Sequence, residues 1–148
     1  MKQHEVIAII NRDYPQMDSF VESEYQYDTY DAENKDYILE IKSRKAKYDK
    51  WLIEKHKFDT NLDIALKKNK QFIYLTEYRT DMLVWNINDL INVGYDFGWE
   101  LKEQPKTTDF DNNNKIMKEV GYLHEHYAKI LWWELEVYLV VLVDLSMD

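Results

Sequence analysis

A carboxylate and an ammonium group lie two residues apart at Glu40 and Lys42, in a stretch where polar and apolar residues alternate. Successive side chains of a β-strand point to opposite faces. An extended stretch therefore directs Glu40 and Lys42 to one face, and Leu39 and Ile41 to the other. An acid and a base held side by side suit metal-assisted hydrolysis. An exposed Glu-x-Lys pair on a half-buried strand has the same pattern without any catalytic role, so the rest of the chain has to distinguish the two.

The strand that carries Glu40 and Lys42 is predicted to be the second strand of a hairpin. The pattern indicates a first strand that ends near Tyr30, a polar turn over Asp31 to Asp36, and a second strand over Tyr37 to Lys42. Asn34 supplies turn chemistry, because its side chain can hydrogen-bond the nearby backbone. An acidic residue at the end of the first strand would lie close to Glu40.

Two acidic residues could be the partner of Glu40 across this hairpin. Asp28 precedes Glu40 by twelve residues and Asp31 precedes it by nine. An odd loop centred on Asn34 would place Asp28 opposite Glu40 on one face of the hairpin. An even loop centred on Glu33 and Asn34 would place Asp31 on that face, displaced toward the turn. The residue pattern leaves both registers open.

The chain around the hairpin predicts a helix, three strands, a second helix and two further strands, followed by an extension. This order indicates an α/β or α+β fold, in which helices pack on a sheet. The second helix is indicated by apolar residues that recur at helical spacing. The predicted elements are residues 3–12 (helix), 24–30, 37–42 and 51–54 (strands), 55–70 (helix), 71–78 and 82–87 (strands), and the extension 88–148.

The composition predicts one globular domain over residues 1–148. An apolar fraction of 45% and an aromatic fraction of 15% argue against disorder, and the absence of cysteine excludes disulfides and thiolate sites. Residues 1–12 do not have the pattern of a signal peptide. We therefore expect a cytoplasmic protein.

The net charge of −9 is unusual for a protein that binds nucleic acid, because affinity for phosphate comes from lysine and arginine. The charge is unevenly distributed, however. Residues 42–57 contain seven basic and two acidic residues, a net charge of +5 that we call the basic segment, whereas the regions on either side are each at −7. The basic segment begins at Lys42, and this coincidence favours a functional role over a generic solvated loop.

The end of the chain, Ile130 to Leu145, is rich in valine, leucine and tryptophan. Its β-branched residues favour a strand and its length favours a helix, so periodicity does not decide between them. The apolar run contains Glu134 and Glu136 and is too short to span a bilayer comfortably, so no membrane association is expected. An exposed run this apolar would be a liability. It is expected to be buried in the core or to form a homodimer.

The arrangement of these residues resembles the PD-(D/E)XK nuclease superfamily. The shared features are an early helix that bears Glu5, then Asp28, then Glu40-Ile-Lys42, then a strand and a helix. Tyr27-Asp-Thr-Tyr-Asp31, followed by Ile38-Leu-Glu-Ile-Lys-Ser-Arg44, is similar to the small members that bacteriophages often encode. The resemblance covers residues 3–87 and implies a restriction-endonuclease-like core with a mixed central sheet flanked by helices.

The resemblance also implies a function and a set of site residues. The function is a Mg²⁺-dependent nuclease, either endonuclease or exonuclease, that hydrolyses DNA phosphodiester bonds with a metal-bound water and would also accept Mn²⁺. It would act in the host cytoplasm if the protein is phage-encoded. Asp28 and Glu40 would bind the metal, Glu5 would complete its shell, and Lys42 would orient or deprotonate the water. The superfamily places its aspartate at the start of the strand, which favours Asp28, with Asp31 as the substitute. Four other residues of the basic segment, Arg44, Lys45, Lys47 and Lys57, would bind nucleic acid, with Lys57 placed at the phosphate.

A second hypothesis uses the same scaffold without catalysis. The charge of −9 would repel DNA except at the basic segment, and acidic surfaces can bind basic proteins. The chain would then be a catalytically inactive interaction protein with a protein partner. The two hypotheses differ in geometry. If the side chains of Asp28 or Asp31, Glu40 and Lys42 converge within reach of one metal ion, the nuclease is favoured. If these side chains point apart, or the site is filled by other groups, the interaction protein is favoured.

Overall fold

The chain contains both helices and strands in the computed structural model, which describes residues 1–24, 29–79, 81–105 and 115–132. The described residues contain three α-helices and nine strands, so the mixed α/β class is confirmed. In chain order the elements are α1 (Gln3–Asp13), β1 (Val21–Glu22), β2 (Ala32–Glu33), β3 (Tyr37–Arg44), β4 (Lys50–Glu54), α2 (Lys55–Lys67), β5 (Gln71–Tyr78), β6 (Asp81–Asn86), α3 (Ile87–Asn92), β7 (Glu100–Pro105), β8 (Lys115–His124) and β9 (Lys129–Trp132).

The larger of two sheets has six strands in the order β1-β2-β3-β5-β6-β9. Strands β3 and β5 are parallel over their whole length, and the other neighbours in this sheet are antiparallel. Parallel neighbours need a crossover connection, which β4 and α2 provide here. The central sheet is therefore mixed, and the strand that bears Glu40 lies in its interior.

The larger sheet buries both faces, because residues along its strands alternate between two apolar clusters. We call these the α1-side core and the α2-side core, after the helix that covers each one. On β3, Leu39 and Ile41 belong to the α1-side core, and Ile38 belongs to the α2-side core. The α1-side core also contains Val6, Ile7, Ile10, Ile73, Leu75, Met82 and Val84. The α2-side core also contains Trp51, Ile53, Phe58, Ala65, Phe72, Tyr74, Leu83, Trp85 and Leu123.

Ile38 offers a test of the α2-side core, because its side chain is completely buried two residues from Glu40. We expect Ile38→Ala to lower the free energy of unfolding by about 2–5 kcal/mol through lost burial and a residual cavity. Ile116→Ala removes the same atoms from a side chain that is 41% exposed and should cost less than about 1 kcal/mol. Urea unfolding of both variants measures the difference. Equal losses would contradict this description of the core.

A second, antiparallel sheet has the order β4-β8-β7. The predicted strand 51–54 does form, as β4, but it pairs with β8 and does not join the central sheet. The prediction of three strands before the second helix was also wrong, because four strands, β1 to β4, precede α2. The pattern at Trp51 and Ile53 indicates one buried face, and it cannot identify a pairing partner about seventy residues further along the chain.

The predicted extension 88–148 contributes strands to both sheets. Strand β8 pairs with β4, and β9 pairs with β6 at the edge of the central sheet. The start of the apolar tail is thus a strand. The remainder of the tail, and with it most of the segment proposed for dimerisation, lies outside the described residues. None of the described helices has the length and apolarity needed to cross a membrane.

Candidate active site around Glu40

The hairpin of β2 and β3 has a register that places Asp31 next to Glu40. Ala32 pairs with Leu39 and Glu33 pairs with Ile38, so the turn is centred between residues 35 and 36. Both registers considered from the sequence were therefore wrong, as was the predicted strand at residues 29 and 30, which lie outside the strands. The pairing strand starts at Ala32, inside the stretch expected to be the turn.

Asn34 and Asp18 explain this register. The Asn34 side-chain oxygen accepts hydrogen bonds from the backbone N–H groups of Asp36 and Tyr37, at 2.9 and 2.8 Å. Its amide nitrogen donates to the Asp18 carbonyl, and the Lys35 N–H donates to the Asp18 carboxylate. Asn34 is thus a turn residue, as expected, but a residue sixteen positions earlier helps to hold the turn. A local pattern does not contain that information.

Asp31 is attached to β3 on both sides of Glu40. Its backbone N–H donates to the Leu39 carbonyl at 2.8 Å, and its carboxylate accepts from the Ile41 N–H at 2.6 Å. Burial, and after it the charge of Glu40, raises the pKa of Asp31 to about 7, and the Ile41 hydrogen bond only partly opposes both. The substitute named from the sequence therefore lies beside Glu40. Asp28, the preferred ligand, lies outside the described residues.

Glu40 is a buried carboxylate that contacts two ammonium groups. Its side chain is 2% exposed, and Oε1 lies 3.1 Å from Lys57 Nζ and 3.3 Å from Lys42 Nζ. The prediction that Glu40 and Lys42 share a face of the strand is confirmed. Lys57 comes from the first turn of α2, which packs over that face. Burying a charge is costly unless the charge is paired, and the two lysines supply that pairing.

The two lysines differ in proton affinity although their side chains are similarly exposed, at 27% and 30%. Burial lowers the pKa of Lys42. The charge of Glu40 acts to raise this pKa, and the charge of Lys57 acts to lower it, so Glu40 does not restore the ordinary value. Burial acts on Lys57 in the same direction, but the charges of Glu40 and Glu54 overcome it and raise the pKa of Lys57. Lys42 is thus the better candidate for accepting a proton, and Lys57 is the more permanent cation.

Glu54 and Tyr74 adjoin this cluster, and neither was predicted from the sequence to be a site residue. Glu54, the last residue of β4, contacts Lys118 Nζ at 3.2 Å. Tyr74 is completely buried, pairs with Glu40 across β3 and β5, and donates its hydroxyl to the Leu52 carbonyl at 3.2 Å. Burial raises the pKa of Tyr74, so the phenol stays protonated. The position of Glu54 directly before a helix was a usable signal, whereas the contact with Lys118 depends on long-range pairing.

Glu5 does not join the cluster. Among the residues that the structure describes, no three His, Cys, Asp or Glu side chains are grouped so that they could hold a metal ion. Glu5 lies on the exposed side of α1, and the buried side of that helix packs in the α1-side core, across the sheet from Glu40. The expectation that Glu5 completes a metal shell is therefore not supported by its position.

The four residues expected to bind nucleic acid fall into two groups. Lys57 contacts Glu40, and Arg44 is half-buried with its guanidinium 3.5 Å from the Leu52 carbonyl. Lys45 and Lys47 are exposed in the loop after β3. Two of the four basic groups therefore take part in internal contacts, and two are placed where a phosphate backbone could reach them.

Comparison with known proteins adds no assignment to this geometry. No protein-family model matches the sequence, and no curated protein shows significant similarity to it.

Proposed function

We propose that the chain is a Mg²⁺-dependent nuclease of the PD-(D/E)XK type that hydrolyses phosphodiester bonds in DNA. One observation carries the proposal. The Asp31 carboxylate is held on β3 beside Glu40, and Lys42 Nζ lies 3.3 Å from Glu40 Oε1. The carboxylate directly before β2, and the carboxylate and lysine on β3, make up the set that the sequence resemblance implies, with Asp31 in the aspartate position.

The two carboxylates fit a magnesium ion. Mg²⁺ is usually bound by one or two protein carboxylates, with waters and substrate phosphates in its other positions, so a third acidic side chain is not required. Asp31 and Glu40 would hold the ion, and Mn²⁺ would fit the same oxygens. The raised pKa of Asp31 supports this assignment. A bound cation would offset both the cost of burying the charged carboxylate and its repulsion by Glu40, which are the causes of the raised pKa. When bound, the metal would polarise the scissile phosphate and lower the pKa of a water molecule.

The remaining residues of the cluster have distinct roles in the proposed reaction. Lys42, with its lowered pKa, would orient the attacking water and, in its neutral amine form, accept the proton of that water. Lys57, with its raised pKa, would stay charged and stabilise negative charge that develops on the phosphate. Lys45 and Lys47 would bind the flanking backbone by neutralising phosphates, an interaction that weakens with salt.

A cleavage assay with a matched variant tests the proposal. Purified protein is incubated with supercoiled, linear duplex and single-stranded DNA and with RNA, in Mg²⁺, Mn²⁺ or EDTA. We expect cleavage of DNA with either metal, none with EDTA, and a rate at least about a hundredfold lower for Glu40→Gln. Equal rates for the wild type and Glu40→Gln would assign the activity to a contaminant. No cleavage of any substrate would leave the nuclease proposal without support.

The second hypothesis, a catalytically inactive interaction protein, has one observation in its favour. Lys42 and Lys57 contact the same oxygen of Glu40, so the buried charge is balanced within the chain without a metal. The acidic balance of −9 would then serve to bind a basic protein partner. This alternative predicts no metal-dependent cleavage and no effect of Glu40→Gln on partner binding, whereas the nuclease proposal predicts the opposite result in the cleavage assay.

A further inference from the structure

Helix α2 contacts both sides of the candidate site through residues one turn apart. Lys57 and Asn61 are four positions apart, so they lie on the same face of the helix. Lys57 reaches Glu40 on β3, and Asn61 is completely buried on the same side. A single rigid element therefore contacts the strand of one proposed metal ligand and the segment that carries the other.

Within the part of the chain that the structure describes, the Asn61 side chain makes two hydrogen bonds to Thr29. The Thr29 hydroxyl donates to Asn61 Oδ1 at 2.5 Å, and Asn61 Nδ2 donates to the Thr29 carbonyl at 3.3 Å. Thr29 is two residues before Asp31, outside any strand. The amide thus holds the backbone of a loop segment, at the point where the chain enters the candidate site.

A second contact, from Lys68 directly after α2, holds the other side of Asp31. Lys68 Nζ lies 3.0 Å from a Glu33 carboxylate oxygen and 3.4 Å from the Tyr30 hydroxyl. Asp31 is therefore bracketed by residues that are attached to the helix. Of the two anchors, Asn61 is the buried one, and a buried polar anchor is geometrically stricter because each of its groups must be satisfied.

Packing alone does not explain an asparagine at this position. A fully buried site in a helix interior is ordinarily filled by an aliphatic residue, since asparagine has poor helix propensity and a high desolvation cost. The hydrogen bonds to Thr29 offset that cost only when the segment is in its present position. The side chain thus links the stability of the helix to the conformation of residues 29–31.

We propose that Asn61 is a positioning residue, which acts through Thr29 to fix the Asp31 carboxylate beside Glu40 for divalent-cation binding. The inference rests on the proposed function, because it takes Asp31 and Glu40 as the residues that bind the metal. Residues that orient metal ligands typically change metal affinity by about 10–100-fold when they are replaced. The same range is expected here.

The test measures Mn²⁺ binding to the full chain in the absence of nucleic acid, by calorimetry and by electron paramagnetic resonance. Thr29→Val keeps the side-chain shape and removes the hydroxyl donor, and Thr29→Ser keeps the hydroxyl. We expect the Kd for Mn²⁺ to rise about 10–100-fold in Thr29→Val and to stay within about twofold in Thr29→Ser. Glu40→Gln identifies binding at the candidate site. Thermal unfolding checks that each variant is folded at the assay temperature.

The outcomes separate this inference from the function on which it rests. Wild-type affinity in Thr29→Val, with binding lost in Glu40→Gln, would overturn the role of Asn61 and leave the metal site in place. Equal loss in Thr29→Ser and Thr29→Val would also overturn it, since the hydroxyl would then not matter. Absence of Mn²⁺ binding by the wild type would overturn the proposed function and this inference together. If Thr29→Val is unfolded, Thr29→Ala replaces it, because water can then fill the space and pair with Asn61.

Discussion

Replacing Lys42 with alanine is expected to lower the rate of Mg²⁺-dependent DNA cleavage by at least about a hundredfold while the fold is retained. The rate falls because the site loses the group proposed to take the proton from the attacking water, and such groups typically contribute about 10²–10⁴-fold. The fold is retained because Lys57 still contacts Glu40 at 3.1 Å, so the buried carboxylate keeps a cationic partner. Initial cleavage rates and circular dichroism measure the two effects.

A matched control separates this loss from a change in overall charge. Lys67→Ala removes the same positive charge from the end of α2, where the side chain is 73% exposed and pairs with Asp63. Its cleavage rate should stay within about twofold of the wild type, since one surface charge contributes little beyond a Debye length. Wild-type cleavage by Lys42→Ala would refute the role assigned to Lys42.

Lys42→Arg distinguishes proton transfer from electrostatic stabilisation. Arginine keeps the positive charge but is not deprotonated in proteins. If Lys42 accepts a proton, the arginine variant should be as slow as Lys42→Ala. If the lysine only stabilises charge on the phosphate, part of the activity should survive. The lowered pKa of Lys42 favours the first result, because burial and the charge of Lys57 both increase the fraction of Lys42 that is in the neutral amine form.

The positions of Glu40 and Lys42 on one face of β3, and of Lys57 in a helix, could be predicted because each depends only on neighbouring residues in the sequence. Alternation over Leu39, Glu40, Ile41 and Lys42 determines which side chains share a face, whatever the strand pairs with. The helical spacing after residue 55 likewise predicts α2, and its first turn supplies Lys57. These features depend on a few consecutive residues, and the structure has them where the pattern indicates.

The parts that could not be predicted depend on contacts between distant segments. The turn at Asn34 is held by Asp18, and this contact moves the register so that Asp31 lies beside Glu40. The sequence pattern of β4 is compatible with a place in the central sheet, and only its pairing with the distant β8 shows that it belongs to the second sheet. Hydrophobic pattern specifies which face is buried, but several partners can bury the same face. The residue pattern therefore predicts which side chains of β3 share a face, but it does not predict which acidic residue of the neighbouring segment lies beside them.

The unfolding free energy of the wild type is expected to fall with rising pH relative to that of Asp31→Asn, by up to about 4 kcal/mol between about pH 4 and pH 8. The pKa of Asp31 is about 7 in the folded chain, against about 3.9 for an unperturbed aspartate. Between these values the folded state holds a proton that the unfolded state has released. Stability from this group is therefore complete below about pH 4, and it is lost as pH rises through about 7.

The asparagine variant isolates this effect from the titration of other carboxylates. The introduced amide cannot ionise, and its oxygen can still accept the Ile41 N–H, so the variant imitates the protonated form of Asp31. Glu33 works in the opposite direction, since Lys70 and Lys68 overcome burial and lower its pKa, but it is present in both proteins. Urea unfolding at several pH values gives the difference curve. A curve that is flat over this pH range would show that the Asp31 carboxyl is not buried as described.

The same variant connects stability to the proposed metal. At about pH 8 the Asp31 carboxyl is mostly ionised beside Glu40. A cation that binds only the folded chain stabilises it by mass action, by about 2.7 kcal/mol at a hundred times its Kd. Mg²⁺ should therefore raise the unfolding temperature of the wild type at this pH and have little effect on Asp31→Asn, which lacks one ligand. At about pH 5 the wild type should respond weakly, because Asp31 holds its proton there. An equal rise in both proteins at the higher pH would place the metal away from Asp31.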